Sequence, residues 1–126
     1  MSSIGIDLVE IPRIQKSLEN PRFVTRVFGI SEQKLFTGKR AAERAAANFA
    51  AKEAFGKALG TGISGFSLNE VETLRDELGA PYLKLSGKAK EIAQERDLRF
   101  AVSLTHTSQY ASAIVIAEKN KGEETC

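Results

Sequence analysis

Cysteine, tryptophan and histidine are almost missing from this 126-residue sequence, which has one Cys, no Trp and one His. The lone thiol, Cys126, ends the polar stretch EKNKGEETC, so neither a disulfide framework nor a cysteine-ligated metal site can form. That stretch is expected to fray. Long apolar runs are absent too: no segment approaches the ~20 apolar residues that cross a bilayer. The opening MSSIGIDLVEI has no basic stretch ahead of its apolar run, and the expected compartment is the cytosol. With no Trp and two Tyr, the chain has few aromatic platforms for stacking single-stranded nucleic acid. It also lacks G-x-x-x-x-G-K-[ST], which removes a P-loop.

What is present fits one globular domain over residues 1–118, with a polar tail over 119–126. Apolar residues make up 42% and charged residues 27%, enough for one core burying roughly two-thirds of the unfolded surface. Charge is uneven along the chain. Residues 1–57 hold ten Lys or Arg against six acids, whereas the remaining 69 hold eight against ten, so an anionic partner is expected on the N-terminal half.

Ser3 to Val9 alternates, with Ile4, Ile6 and Leu8 on one face and Gly5, Asp7 and Val9 on the other, the pattern of a strand. Pro12 suits the first turn of a helix carrying Ile14 and Leu18, and Asn20-Pro21 opens a second with Phe23, Val24, Val27 and Phe28 inward. Ser31 is placed to cap a weak third helix through Phe36. From about Lys39 to Leu59 strong helix formers dominate, and Gly60 is the natural stop. Beyond it, Leu68–Leu74 and Tyr82–Leu85 read as strands joined by DELGAP. Lys88–Glu95 reads as a helix, and Phe100–Thr105 and Tyr110–Glu118 as strands. The order predicts an α+β fold, with a largely antiparallel sheet packed against a long central helix.

Gly60-Thr-Gly62-Ile-Ser-Gly65 matches the dinucleotide fingerprint G-x-G-x-x-G. A true fingerprint follows a strand and opens a helix, with the pyrophosphate at the helix N-terminus. Here the glycines close a helix and precede a strand, so the nicotinamide and flavin readings fail. A left-handed helix stop and turn accounts for them, and leaves room for a ligand against the backbone.

Two acids stand where acids are costly. Asp7 lies in SIGIDLVEI, a run apolar enough for both faces of its strand to be covered. There a carboxylate is paired with a cation, hydrogen-bonded to backbone, or bound to metal. Glu53 shares a helix stripe with Phe49 and Lys57, while Lys52 points about 100° away. The plain reading is an exposed i,i+4 pair between Glu53 and Lys57, worth roughly 0.3–0.5 kcal/mol. Phe49 and the alanines beside it argue that this face is packed. If the first strand lies along the helix, Asp7 and Glu53 meet, and two carboxylates with open positions suit Mg²⁺. Lys52, Lys57, Arg44 and Arg40 are candidate cations for a polyphosphate. His106, between two strands, is either an ordinary hydrogen-bonding residue or a binding group.

The blocks IGIDLVEIPRI and FAAKEAFGKALGTGI, in this order, resemble the two signatures of the holo-[acyl-carrier-protein] synthases, the short bacterial class of 4′-phosphopantetheinyl transferases. The second block matches [WF]-x-x-K-E-A-x-x-K at Phe49, Lys52, Glu53, Ala54 and Lys57. DELGAPYLKLSGKA and VSLTHTSQYASAIVIAE extend the likeness over nearly the whole chain. The resemblance implies transfer of the 4′-phosphopantetheine arm of coenzyme A to a serine of apo-acyl carrier protein, in support of fatty acid biosynthesis. Adenosine 3′,5′-bisphosphate is the other product. It implies Asp7 and Glu53 as Mg²⁺ ligands and Lys57 as an aid to the leaving phosphate, with either Glu53 or a water on the metal as base. Arg44, Lys52, Lys57, Gly60, Gly62, Pro81 and His106 resemble positions lining the coenzyme pocket. Arg13, Arg22 and Arg26 would dock the acidic carrier. Larger monomeric relatives carry an acid two residues after the first metal-ligand aspartate; here that place is Val9, which assigns the chain to the short class. That class is typically a homotrimer with coenzyme sites between subunits. A nucleic-acid-binding domain explains the arginines but leaves Asp7 and Glu53 without purpose. A silent relative that only binds coenzyme A leaves the intact Asp7, Glu53 and Lys57 unexplained.

Overall fold

A computed structural model describes residues 2–120. The chain opens with strand β1 (Ser3–Glu10), followed by helices α1 (Ile11–Ser17), α2 (Pro21–Val27), α3 (Ile30–Gln33) and α4 (Ala41–Leu59). A single tight turn at Leu68–Glu70 leads into β2 (Val71–Arg75), β3 (Pro81–Leu85), α5 (Gly87–Glu95), β4 (Leu98–His106) and β5 (Tyr110–Lys119). All strand pairs are antiparallel, in a three-stranded sheet ordered β1-β5-β4 and a separate ribbon of β2 and β3. This is the expected α+β arrangement. β5 runs through Lys119, and residues 121–126, with Cys126, lie outside the described residues.

Helix α4 is the axis of the molecule. Its 19 residues span about 28 Å, and it is buried nearly all round by β1, β5, β2, β4 and α1. Alanine makes this possible: Ala45, Ala46, Ala50, Ala51 and Ala54 are fully buried, and their short side chains let neighbouring backbone come close. The closest approach is at Gly5. A Cβ there would lie 2.7 Å from Ala58 N and nearer still to Ala54 O, so β1 seats directly on the helix backbone. Gly60 ends α4 in the left-handed conformation, φ 82°, and its N–H bonds back to Lys57 O at 3.0 Å.

Asn20 caps α2, accepting from Arg22 N at 2.9 Å, as its position before Pro21 predicts. Three expectations are corrected. Helix α3 begins beyond Gly29, whose carbonyl takes the first helical bond from Gln33 N. Ser31 therefore lies inside the helix; Glu32 Oε1 accepts from Gly29 N at 3.0 Å, and the Glu72 carboxylate accepts from Ser31 N and Glu32 N in place of an N-cap side chain. The first part of the expected strand Leu68–Leu74 is the tight turn, where Glu70 reaches back to accept from Ser67 N at 3.2 Å. The third correction concerns β1. Gly5, Asp7 and Val9 do face α4, but Ile4, Ile6 and Leu8 are 61%, 59% and 65% exposed, because only one layer of helix covers the sheet.

Candidate active site

Because β1 lies against α4, its inward face brings Asp7 to the helix stripe predicted to hold Glu53 and Lys57. Lys57 Nζ donates to Asp7 Oδ1 at 3.1 Å and to Ile6 O at 2.9 Å, tying the last turn of α4 to the middle of β1. Glu53 stands one turn back. Partial burial holds its carboxyl above the usual range, and the neighbouring Asp7 charge adds to this, while Lys57 and Arg13 pull the other way. The two carboxylates therefore feel one another's charge, offset in part by Lys57 and Arg13. Gly60 and Gly62 lie just past Lys57, where Thr61 N and Gly62 N fold back to Gly56 O at 3.3 and 3.0 Å.

A second feature lies at the other end of α4. A cleft of about 350 Å³ is lined by Arg40, Glu43, Arg44, Arg75, Pro81 and His106, among others. Three of the residues picked from sequence, Arg44, Pro81 and His106, thus meet in one place. Arg44 is anchored by donating to Thr37 O at 3.1 Å and Leu35 O at 3.4 Å, and His106 Nδ1 faces Glu43 Oε2 at 3.8 Å. Within one chain this cleft is remote from the carboxylates. Arg44 and Glu53 are nine residues apart on α4, about 14 Å, and the cleft adjoins β4, the sheet edge opposite β1. Arg22 and Arg26 border a larger groove of about 650 Å³ with Phe23, Ile63 and Phe66, while Arg13 lies beside Glu53 on α1.

The sequence from residue 3 to 115 matches the family model of the 4′-phosphopantetheinyl transferase superfamily. The chain belongs to that superfamily. Among similar proteins is the holo-[acyl-carrier-protein] synthase of Lachnoclostridium phytofermentans, 44% identical over 116 residues that cover 91% of this chain and 93% of the relative. A crystal structure of a holo-(acyl-carrier-protein) synthase from Bacillus anthracis in complex with CoA (3′,5′-ADP) superposes with a TM-score of 0.79. It is 34% identical, covering 94% of this chain and 96% of that one. The holo-[acyl-carrier-protein] synthase of Neisseria meningitidis gives 0.85 at 30% identity, over 93% and 98%.

One residue of the transferase motif is not where the resemblance put it. Lys52 is fully buried, and its ammonium donates to Glu32 Oε1 at 2.6 Å, Val71 O at 2.6 Å and Leu68 O at 3.2 Å. All three donors are committed, so none remains for a phosphate. Its partner Glu32 also accepts from Asn48, Thr73 N and Gly29 N. Burial pushes the Glu32 carboxyl up and the Lys52 ammonium down, each opposed by the other's charge. Lys52 of this transferase pins α4 to α3 and the start of β2. Glu32 had no sequence signal, since it sits in the polar run SEQK with no apolar periodicity. Arg75 in the cleft was also missed. The residue ends a short strand, where an arginine ordinarily faces water.

Proposed function

We propose that the chain transfers the 4′-phosphopantetheine arm of coenzyme A to a serine hydroxyl of apo-acyl carrier protein, with Asp7, Glu53 and Lys57 as its reaction centre. The observation that carries this is the seating of β1 on α4, which sets Asp7 beside Glu53 with Lys57 bonded to Asp7 at 3.1 Å. The serine oxygen attacks the phosphorus bearing the pantetheine. The bond from that phosphorus to the bridging oxygen breaks, and adenosine 3′,5′-bisphosphate leaves. Lys57, half exposed, is free to swing toward the negative charge that grows on the departing phosphate. The serine proton passes to Glu53, directly or through a water beside it.

Mg²⁺ fits the paired carboxylates. Among the described residues no group of three or more His, Cys, Asp or Glu gathers, so the chain offers two oxygen donors and leaves other positions to water and phosphate, the usual way this ion is held. A like-charged pair that lifts the Glu53 pKa is also relieved by a hard cation. When bound, Mg²⁺ supplies charge neutralisation for the pyrophosphate oxygens.

The separation of the carboxylates from the basic cleft favours a site shared between copies, with the pyrophosphate at Asp7 and Glu53 of one and the nucleoside end in the cleft of its neighbour. The outer sheet face supports such an assembly. Ile4 and Ile6 pair in register with Ile116 and Ile114 of β5, and with Leu8 they make an apolar face that a monomer would leave in water. A homotrimer, as in the short class, covers it. Arg13, whose charge acts on Glu53, together with Arg22 and Arg26 on the exposed side of α2, gives the acidic carrier a landing surface. No helix of the described residues is long and apolar enough to cross a membrane, and the cytosol is where this reaction's substrates meet.

The test is to incubate the protein with coenzyme A, apo-carrier protein and Mg²⁺ and weigh the carrier. A gain of one phosphopantetheine, abolished by EDTA, is expected; no gain would overturn the reading. For the shared site, mixing E53A with R44A, each inactive alone, restores activity if the halves come from different copies.

A further inference from the structure

Glu53 stands on α4 and the arginines Arg22 and Arg26 on α2, so the tilt of one helix against the other decides where a docked carrier presents its serine. Helix α2 is lightly seated. Of its seven residues only Val27 is buried, while Arg22, Thr25 and Arg26 are exposed. Two further attachments hold it. Near its start Phe23 lies against Phe49 of α4, ring centroids 6.2 Å apart, one turn before Glu53. Near its end the Thr25 carbonyl accepts from Asn69 Nδ2 at 3.1 Å. The donors that ordinarily serve such a carbonyl are spent elsewhere, since Phe28 N bonds to Val24 O and Gly29 N to Glu32 Oε1.

Asn69 is itself fixed. It is the middle residue of the tight turn Leu68–Glu70, whose other two members tie the turn down on either side. Leu68 O accepts from Lys52 Nζ at 3.2 Å, and Glu70 Oε1 accepts from Ser67 N and Ala89 N, each at 3.2 Å. Three consecutive residues thus reach α4, α2 and α5. Lys52 directly precedes Glu53, so the turn takes its position from the helix that carries the reaction centre. The turn and α2 are opposite walls of the groove of about 650 Å³, and among the described residues no hydrogen bond except that of Asn69 crosses between them. Contact at Phe23 alone leaves α2 free to pivot about one point. The Asn69 bond supplies the second point, and two points set the direction of a rod.

We propose that Asn69 is a positioning residue for the carrier: its bond to Thr25 O fixes the tilt of α2, and with it the place at which the serine of a docked carrier meets Glu53. This rests on the reading of Arg22 and Arg26 as the carrier's landing surface, and it adds the residue that aims that surface. The amide brings no charge, so it governs aim and leaves attraction to the arginines.

N69L keeps the size of the side chain and removes its donor. Steady-state transfer to apo-carrier is measured for the wild type, N69L, R22E/R26E and the triple variant, together with KM for coenzyme A. In the wild-type background N69L is expected to lower kcat about 3- to 10-fold, the range of one hydrogen bond, with KM for carrier and for coenzyme A each within about twofold. In the R22E/R26E background, where the carrier no longer rests on α2, the same substitution is expected to lower kcat/KM by less than about twofold. Loss of folded protein would instead take the same factor from both backgrounds, and that result overturns the role of Asn69. So does an unchanged kcat, whether or not KM for carrier rises. If N69L does not fold, N69A carries the same cycle. R22E/R26E that leaves KM for carrier unchanged overturns the landing surface and the role of Asn69 together, whereas a raised KM with equal N69L factors in both backgrounds overturns Asn69 alone.

Discussion

Replacing Gly5 by alanine is expected to open the seam on which the reaction centre depends. The added Cβ would lie 2.7 Å from Ala58 N and closer to Ala54 O, well inside the 3.4 Å at which ordinary contact begins. Both obstacles are helix backbone, which has no rotamer to turn aside, so β1 has to move outward by something on the order of 1 Å. Overpacking of this kind costs about 1–3 kcal/mol. The chemical cost is larger, because Asp7 is two residues along β1 and Glu53 and Lys57 are across the same seam. A misplacement of about 1 Å at a reacting centre is worth roughly 100-fold in rate. Urea unfolding reports the first quantity, and the rate of carrier mass gain reports the second. Val9→Ala is the companion variant. It removes methyl groups from the same inward face and is expected to cost about 1–3 kcal/mol without forcing the strand away, so its rate loss should be small. G5A with near wild-type stability and rate would refute the seating of β1. A G5A protein that is destabilised but fully active would refute the idea that this seam sets the spacing of the acids.

Three further outcomes are expected. Glu53→Gln abolishes transfer yet stabilises the metal-free protein at pH 7, since a carboxyl whose folded pKa lies above its ordinary value weakens the fold once pH rises past the unfolded value of 4.5. The gain should vanish below pH 4.5, where both states are protonated, and urea midpoints across pH check it; a constant gain at all pH values would point to packing instead. Lys52→Met strands the Glu32 charge in the core and should cost about 3–5 kcal/mol, whereas Lys52→Met combined with Glu32→Leu should recover part of the loss in thermal unfolding. R22E/R26E should raise KM for the carrier about tenfold or more and flatten its salt dependence while KM for coenzyme A stays put; equal effects on both substrates would remove these arginines from the docking surface.

Local chemistry is legible in the sequence. The Asn20-Pro21 start, the Gly60 stop and the alanine-rich helix between residues 41 and 59 are each decided by a few neighbouring residues. The alternation of β1 likewise places Asp7 and Gly5 on one face, and helix spacing puts Glu53 with Lys57, which is why the carboxylate pair is readable. What fails depends on partners far along the chain. Lys52 is buried because Glu32, twenty residues earlier, awaits it; α3 is capped by Glu72, forty residues on. Neither segment carries a periodicity that announces such a meeting. The outer face of β1 misleads for a different reason: apolar side chains show that a face needs covering, and say nothing about whether the same chain supplies the cover.

Helix α4 carries Arg44 near one end and Lys57 near the other, and is hemmed in along its length, so it serves as the gauge block of the enzyme. Deleting a single residue from its middle would shorten it by about 1.5 Å and rotate one end against the other by about 100°. The basic cleft and the acid pair would then point in unrelated directions, even if every side chain survived. The β2–β3 hairpin tip, although Leu78 there stands 94% exposed, is no freer to change length, because Arg75 and Pro81 of the cleft flank it and Gly79 lines the cleft itself.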